Sequence, residues 1–212
     1  MEDHSSQTKT RGRPKVVPDD VQAARIVQEA RELFIAEGYA GTTMDEVAAR
    51  CRISKRTLYR LFPGKTELFT AIIEAHRQSM LDLPGDYDDI PLDVALEKIF
   101  KVDIDPEKDR ERMAVLHFII VETQQFPELR DIAHRQGGER GLALLSEWLI
   151  HQQELGRIAI EDPTSTAGIL MDMIFGAIIF KKPGEWELRS REERTQHIRR
   201  CIGIFLDGVR PR

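Results

Sequence analysis

From residue 19 onward the apolar positions return every three or four residues. Ala23, Ile26, Val27, Ala30, Leu33 and Phe34 share one face of a helix, which the glycines of EGYAG (37–41) stop. Thr43, followed three residues on by Glu46, forms a capping box that opens a short second helix ending near Cys51. Ser54 caps a third, running to about Leu61. Pro63 leads into a fourth, whose apolar face continues through Leu68, Phe69, Ile72, Ile73, His76 and Met80. An acidic Pro/Gly stretch, DLPGDYDDIP (82–91), marks a candidate boundary. Beyond it the spacing predicts helices near 91–103, 107–124, 127–154, 163–180 and 190–208, punctuated by Pro106, Pro127, Pro163 and Pro183. No segment shows sustained strand alternation with hairpin turns. The expected fold is all-α, with about nine helices and no internal repeat.

A short helix, a three-residue turn and another short helix is helix-turn-helix geometry. Val47 and Ala48 can pack under Ile53 and Leu58, while the small Ala48 and Ala49 permit a close crossing. Ser54, Lys55, Arg56, Thr57 and Arg60 would then project from the start and outer face of the second of these helices. That is where a recognition helix meets base edges in the major groove. Arg and Lys pair with guanine there, and Thr contacts a thymine methyl. A solvated basic face is the plainer reading of a charge run, but the capping box, the turn and the caged Leu58 favour DNA.

Charge supports this reading. The net charge is -5, yet residues 1–65 hold 12 Lys and Arg against 9 Asp and Glu, and residues 66–212 hold 19 against 27. A basic end on an acidic body suits a protein that meets nucleic acid at one place only. At 212 residues and 41% hydrophobic content, the chain can bury a substantial core. Cys51 and Cys201 lie far apart, with no metal-ligand spacing, and the histidines form no HxxxH pair, so no metal or cofactor is expected. The N-terminus reads as lacking a signal peptide, and the most apolar stretch (167–180) is too short to span a membrane and carries Asp172. A soluble, cytoplasmic protein is expected.

The stretch TTMDEVAARCRISKRTLYRLFPGKTELF (42–69), preceded by ARELFIAEGYAG, resembles the DNA-binding domain of TetR/AcrR-type bacterial transcriptional regulators across about residues 20–80. The resemblance implies phosphate contacts from Thr43, Tyr59 and Lys65, and base contacts from Lys55, Arg56 and Thr57. Arg52 and Arg56 stand where that family often has glycine. In a left-handed turn Arg52 would carry strain of roughly 1 kcal/mol, offset by an added phosphate contact. Upstream, TRGRPK (10–15) resembles the core of an AT-hook. Arg11 and Arg13 would reach either an A·T-rich minor groove or phosphates alone.

VETQQFPELRDIAHR (121–135) resembles the AefR-like branch of the same family. The implied organisation is a flexible arm (1–18), a helix-turn-helix domain (19–64) and an effector-binding and dimerisation domain (65–212) entered through helix 65–82. For the effector pocket the candidates are His76, His117, Glu122, Trp148, His151, Met171 and Phe175, beside Met173. For a homodimer interface they are Ile174, Ile178, Ile198, Cys201, Ile202, Phe205 and Leu206, with Asp172 at the rim or paired with Arg199 or Arg200. Each of these residues also has an ordinary core reading. The expected function is a regulator, most simply a repressor, that binds a near-palindromic operator in double-stranded DNA as a homodimer and is released by a small apolar or amphipathic effector. The alternatives are a ligand-independent or nucleoid-type DNA-binding protein, and a helical enzyme, for which no nucleophile–base pair or phosphate loop is present.

Overall fold

The computed structural model describes residues 18–179 and 190–211, and the described residues are helical throughout apart from loops. The N-terminal part comprises α1 (Asp19–Gly41), α2 (Met44–Arg50), α3 (Lys55–Leu61) and α4 (Lys65–Met80). The larger part comprises α5 (Leu92–Ile99), α6 (Pro106–Gln125), α7 (Pro127–Ile132), α8 (Arg140–Glu154), α9 (Pro163–Ile179) and α10 (Arg191–Val209). A π-helical segment, Ala133–Glu139, joins α7 to α8, so the continuous 127–154 helix expected from periodicity is locally unwound. The expected arm, with Arg11 and Arg13, lies outside the described residues.

Helix ends follow from local chemistry. Thr43 and Ser190 both form complete capping boxes, with Glu46 and Glu193 as the returning carboxylates. Asp105 caps α6 ahead of Pro106, and Pro127 fixes the start of α7 by forcing Phe126 into extended backbone. Three helices end alike. Arg52, Lys101 and Gly156 take φ of 52°, 49° and 69°. In each case the next residue donates five positions back, as in Ile53 N–H to Ala48 O (3.1 Å), Val102 to Glu97 and Arg157 to Gln152. These are Schellman motifs. The one at Lys101 closes α5 earlier than the periodicity suggests. Within α1, Gly38 (φ 75°) interrupts the helix, and a Cβ there would approach Glu122 Oε1 at 3.1 Å.

Two cores result. The first gathers Ile26, Phe34, Leu58, Phe69 and Ile72 with Phe118 and Leu129, so α6 and α7 complete the N-terminal core. Phe34 stacks on Phe118 at 6.0 Å, and Tyr39 meets Phe69 edge-on at 5.8 Å. The second joins α5, α8, α9 and α10 through Leu96, Ile99, Leu145, Leu149, Leu170 and Phe205. Between the cores, buried Asp109 accepts from Arg112 Nε (2.8 Å) and also pairs with Arg194, linking α6 to α10. The 82–91 stretch is no loose boundary. Leu83 is in the second core, and Asp88 accepts from Gln152 and pairs with His151, whose pKa this hydrogen bond pushes up.

Candidate nucleic-acid interface and effector cavity

Leu58 is fully buried against Val47 and Ala48, which fixes α3 across α2 and turns its polar residues outward. Ala49 is exposed, so Ala48 alone provides the close crossing. Ser54 Oγ accepts from Thr57 N–H at 3.1 Å and lies 2.8 Å from Thr57 Oγ1, leaving the Thr57 methyl as its free contact group. Arg56 is exposed without an ion pair among the described residues, and Tyr59 is 46% exposed beside it. Lys55 Nζ meets Asp45 at 2.6 Å, and Arg60 forms a two-pronged bridge to Asp19 at 2.5 and 2.8 Å. These hydrogen bonds push both basic pKa values up. Exposed pairs of this kind contribute little to stability, so a phosphate or a guanine can displace either acid readily. Arg52 is exposed at the turn, in the left-handed conformation expected for its position.

Two expectations change on this face. Lys65 does not reach out as a free cation. Its ammonium donates to the carbonyls of Tyr39 (2.6 Å) and Thr42 (3.0 Å) and lies 4.4 Å from the Tyr39 ring centre. It is a strut between α1 and α4, and only the α4 backbone N–H groups remain directed outward. Thr43 is exposed, but its hydroxyl is bound to Glu46 Oε2 at 2.8 Å, so contact with a phosphate would require that cap to share it. Cys51 is buried, and desolvation pushes its thiol pKa up, away from the thiolate a redox switch requires.

The larger body contains a cavity of about 350 Å³ between α4, α6, the π-helical segment, α8 and α9. Ile73, Met80, Leu116, Ile120, Met171 and Phe175 supply apolar walls, while Gly137, Gly138 and Gly141 form a side-chain-free floor. A Cβ on Gly137 would come within 3.4 Å of Ile73, so glycine permits the close approach of this segment to α4. Its polar members are His76, Arg77 and Asp172. Burial, reinforced by Arg112 and Arg31, depresses the His76 pKa to about 4.

Residues 26–72 match the bacterial regulatory proteins of the tetR family, and residues 95–208 match the AefR-like transcriptional repressor C-terminal domain. This chain belongs to the TetR family. SrpR of Pseudomonas putida, an HTH-type transcriptional regulator, is 25% identical over 196 residues, which cover 85% of this chain and 82% of SrpR. YvkB of Bacillus subtilis, an uncharacterised HTH-type transcriptional regulator, is 28% identical over 194 residues, covering 87% and 95%. Among solved structures, the flavonoid-responsive regulator FrrA aligns with a TM-score of 0.63 at 25% identity, over 91% of this chain and 99% of FrrA. A TetR-family regulator from Pseudomonas syringae pv. tomato gives 0.63 at 22%, over 93% and 100%, and shows the shared fold. The protein is a DNA-binding transcriptional regulator of this family, not an enzyme. No helix among the described residues is long and apolar enough to cross a membrane.

Within this TetR-family frame, the structure brings together His76, Met171 and Phe175 at the cavity but not the other sequence candidates. His117 is exposed, because its neighbours Leu116 and Phe118 take the inward directions of α6. Glu122 is buried a turn beyond the cavity, against Gly38. Trp148 belongs to the second core, and exposed His151 pairs with Asp88. Met173, also a candidate, packs against the second core. Arg77 and the glycine floor went unrecognised in the sequence. Arg77 reads there as one more solvated cation, and the glycines read as ordinary helix positions.

The interface candidates are also corrected. Ile174, Ile198, Cys201, Ile202 and Phe205 are all buried within the chain's own core, with Leu206 packed against it; Ile178 lies outside the described side chains. Their stripe is occupied by α5 and α9. Arg199 pairs with Glu97 and Asp103, and Asp172 faces the cavity. The outward faces of α9 and α10 instead expose Ile169 at 56% and Ile204 at 59%. Added side chains at Gly203 and Gly208 would meet open space, so α10 has a smooth, unoccupied flank.

Proposed function

We propose that this regulator is a cytoplasmic repressor that binds a near-palindromic operator as a homodimer and releases it when a small, largely apolar effector enters the cavity. The observation that carries this reading is the double role of α4 and α6. Leu116 and Ile120 of α6 line the cavity, while Phe118 and Glu122 of the same helix contact Phe34 and Gly38 of α1. Met80 and Ile73 of α4 line the cavity, while Leu68 and Phe69 hold the DNA-binding core. A ligand that shifts either helix therefore moves the α2–α3 unit.

Lys55, Arg56 and Thr57 would read bases from the major groove, with Ser54 at the helix start. Arg52, Tyr59, Arg60, Thr43 and the α4 N-terminus would hold phosphates. The exposed faces of α9 and α10, centred on Ile169 and Ile204, would pair two protomers and set the spacing of their heads. A 100-fold loss of operator affinity requires about 2.7 kcal/mol of differential effector binding between the two head spacings. The flavonoid responsiveness in FrrA's name supports control by a small organic effector.

A thermal-shift screen of apolar compounds, followed by operator binding measured by fluorescence anisotropy, tests the proposal. Stabilising compounds should release the operator, and Leu116→Trp, which fills the cavity, should abolish both effects. Stabilisers that leave the operator bound would refute effector control.

A further inference from the structure

The cavity contains a cation that has no counter-ion among the described residues. Arg77 lies on its α4 wall, and both Nε and Nη1 of its guanidinium are buried without a hydrogen-bond partner among the described residues. Buried guanidinium groups are ordinarily paired, since burial removes water that nothing then replaces. The adjacent residue, His76, lines the same space, and its buried Nδ1 is also without a partner. Among the described residues, Asp172 is the one acid on the cavity wall. It is exposed on α9 and does not close on those two guanidinium nitrogens.

We infer that the effector is an amphipathic organic anion: an apolar body with a single carboxylate-like or sulfonate-like head that docks on Arg77 and His76. This identification rests on the effector reading above and specifies its chemistry. The planar guanidinium presents parallel N–H donors that match two oxygens of such a head, and charge-assisted bonds of this type are the strong ones. Burial, reinforced by the positive charges of Arg112 and Arg31, keeps the His76 imidazole neutral at physiological pH. A neutral ring can donate one hydrogen bond to the head without adding a charge of its own. The remaining surface, from Leu116 and Ile120 to Met171 and Phe175, suits an uncharged body. Asp172, exposed on the cavity wall, disfavours a second acidic group on the body. A cavity of about 350 Å³ limits the body to a small molecule near the lower end of ligand pockets.

Two fluorescent probes that share one scaffold test the inference. 8-Anilinonaphthalene-1-sulfonate carries the anionic head, and N-phenyl-1-naphthylamine lacks it. Both should bind the intact protein, with the sulfonate at least about tenfold tighter, as expected of a charge-assisted contact. Arg77→Met should remove that preference and leave the neutral probe within about twofold, whereas Arg77→Lys should restore part of it. Asp172→Asn should strengthen the anion or leave it unchanged. Far-ultraviolet circular dichroism checks that each variant is folded. If Arg77→Met fails to fold, the wild-type preference and the Asp172→Asn result decide the matter alone. Equal binding of both probes, or a preference that survives Arg77→Met, would overturn the anion assignment while leaving the cavity reading intact. Failure of both probes to bind would refute the cavity reading itself.

Discussion

Replacing Arg52 with glycine separates two contributions that share one residue. Arg52 is the left-handed position of the Schellman motif that ends α2, at φ 52°. A side chain there costs roughly 1–2 kcal/mol relative to a right-handed conformation. Glycine removes that strain but loses about 0.5–1 kcal/mol through its greater freedom in the unfolded chain. The net expectation is stabilisation by roughly 0.5–1 kcal/mol, or a melting temperature about 1–4 °C higher for a protein of this size. Operator binding should move the opposite way. If Arg52 neutralises one phosphate per protomer, the slope of log affinity against log salt should shrink by about 0.9 for each protomer bound. Thermal unfolding by circular dichroism and anisotropy across a potassium chloride series provide both readings. A lower melting temperature would show that the turn is not strained by arginine. An unchanged slope would remove Arg52 from the DNA contact.

Ile204→Glu should give folded monomers with weak operator affinity, whereas Phe205→Glu should unfold the chain, since Phe205 is buried in its own core. Light scattering and thermal melts together distinguish these outcomes. Lys65→Met removes the strut to Tyr39 and Thr42. It should cost about 1–3 kcal/mol of stability, by analogy with other hydrogen bonds to charged groups, while leaving the salt slope of DNA binding unchanged. Burial, reinforced by Arg112 and Arg31, pushes the His76 pKa down to about 4 in the folded chain, from an ordinary 6.5. The unfolded chain therefore takes up that proton first, so the stability this residue supports is complete above pH 6.5 and is lost as pH falls towards 4. The loss amounts to about 3 kcal/mol, and urea midpoints for His76→Gln should lack that portion of the pH dependence.

The DNA-binding half was largely legible because its signals are local. Thr43 with Glu46, Ser54 with Thr57 and the apolar face of α1 each specify their element within a few residues. The cavity and the interface depend on contacts distant in sequence. Periodicity identifies Ile198, Cys201, Ile202 and Phe205 as one apolar stripe, but α5 and α9 cover it within the chain. The apolar residues these two helices leave exposed, Ile169 and Ile204, lie off that stripe. Likewise, nothing local separates Arg77 from any other exposed-looking arginine of a helix. Its burial without a partner among the described residues emerges only when α6, α8 and α9 close around α4.

The most direct test of the account is selection from random duplex DNA at low ionic strength, followed by methylation protection of the selected sites. The account predicts a near-palindromic site with guanine N7 atoms shielded in two major-groove patches, centred about 34–36 Å apart or somewhat more, and a loss of that shielding with Arg56→Ala. No enriched duplex, or protection confined to one asymmetric patch, would contradict it.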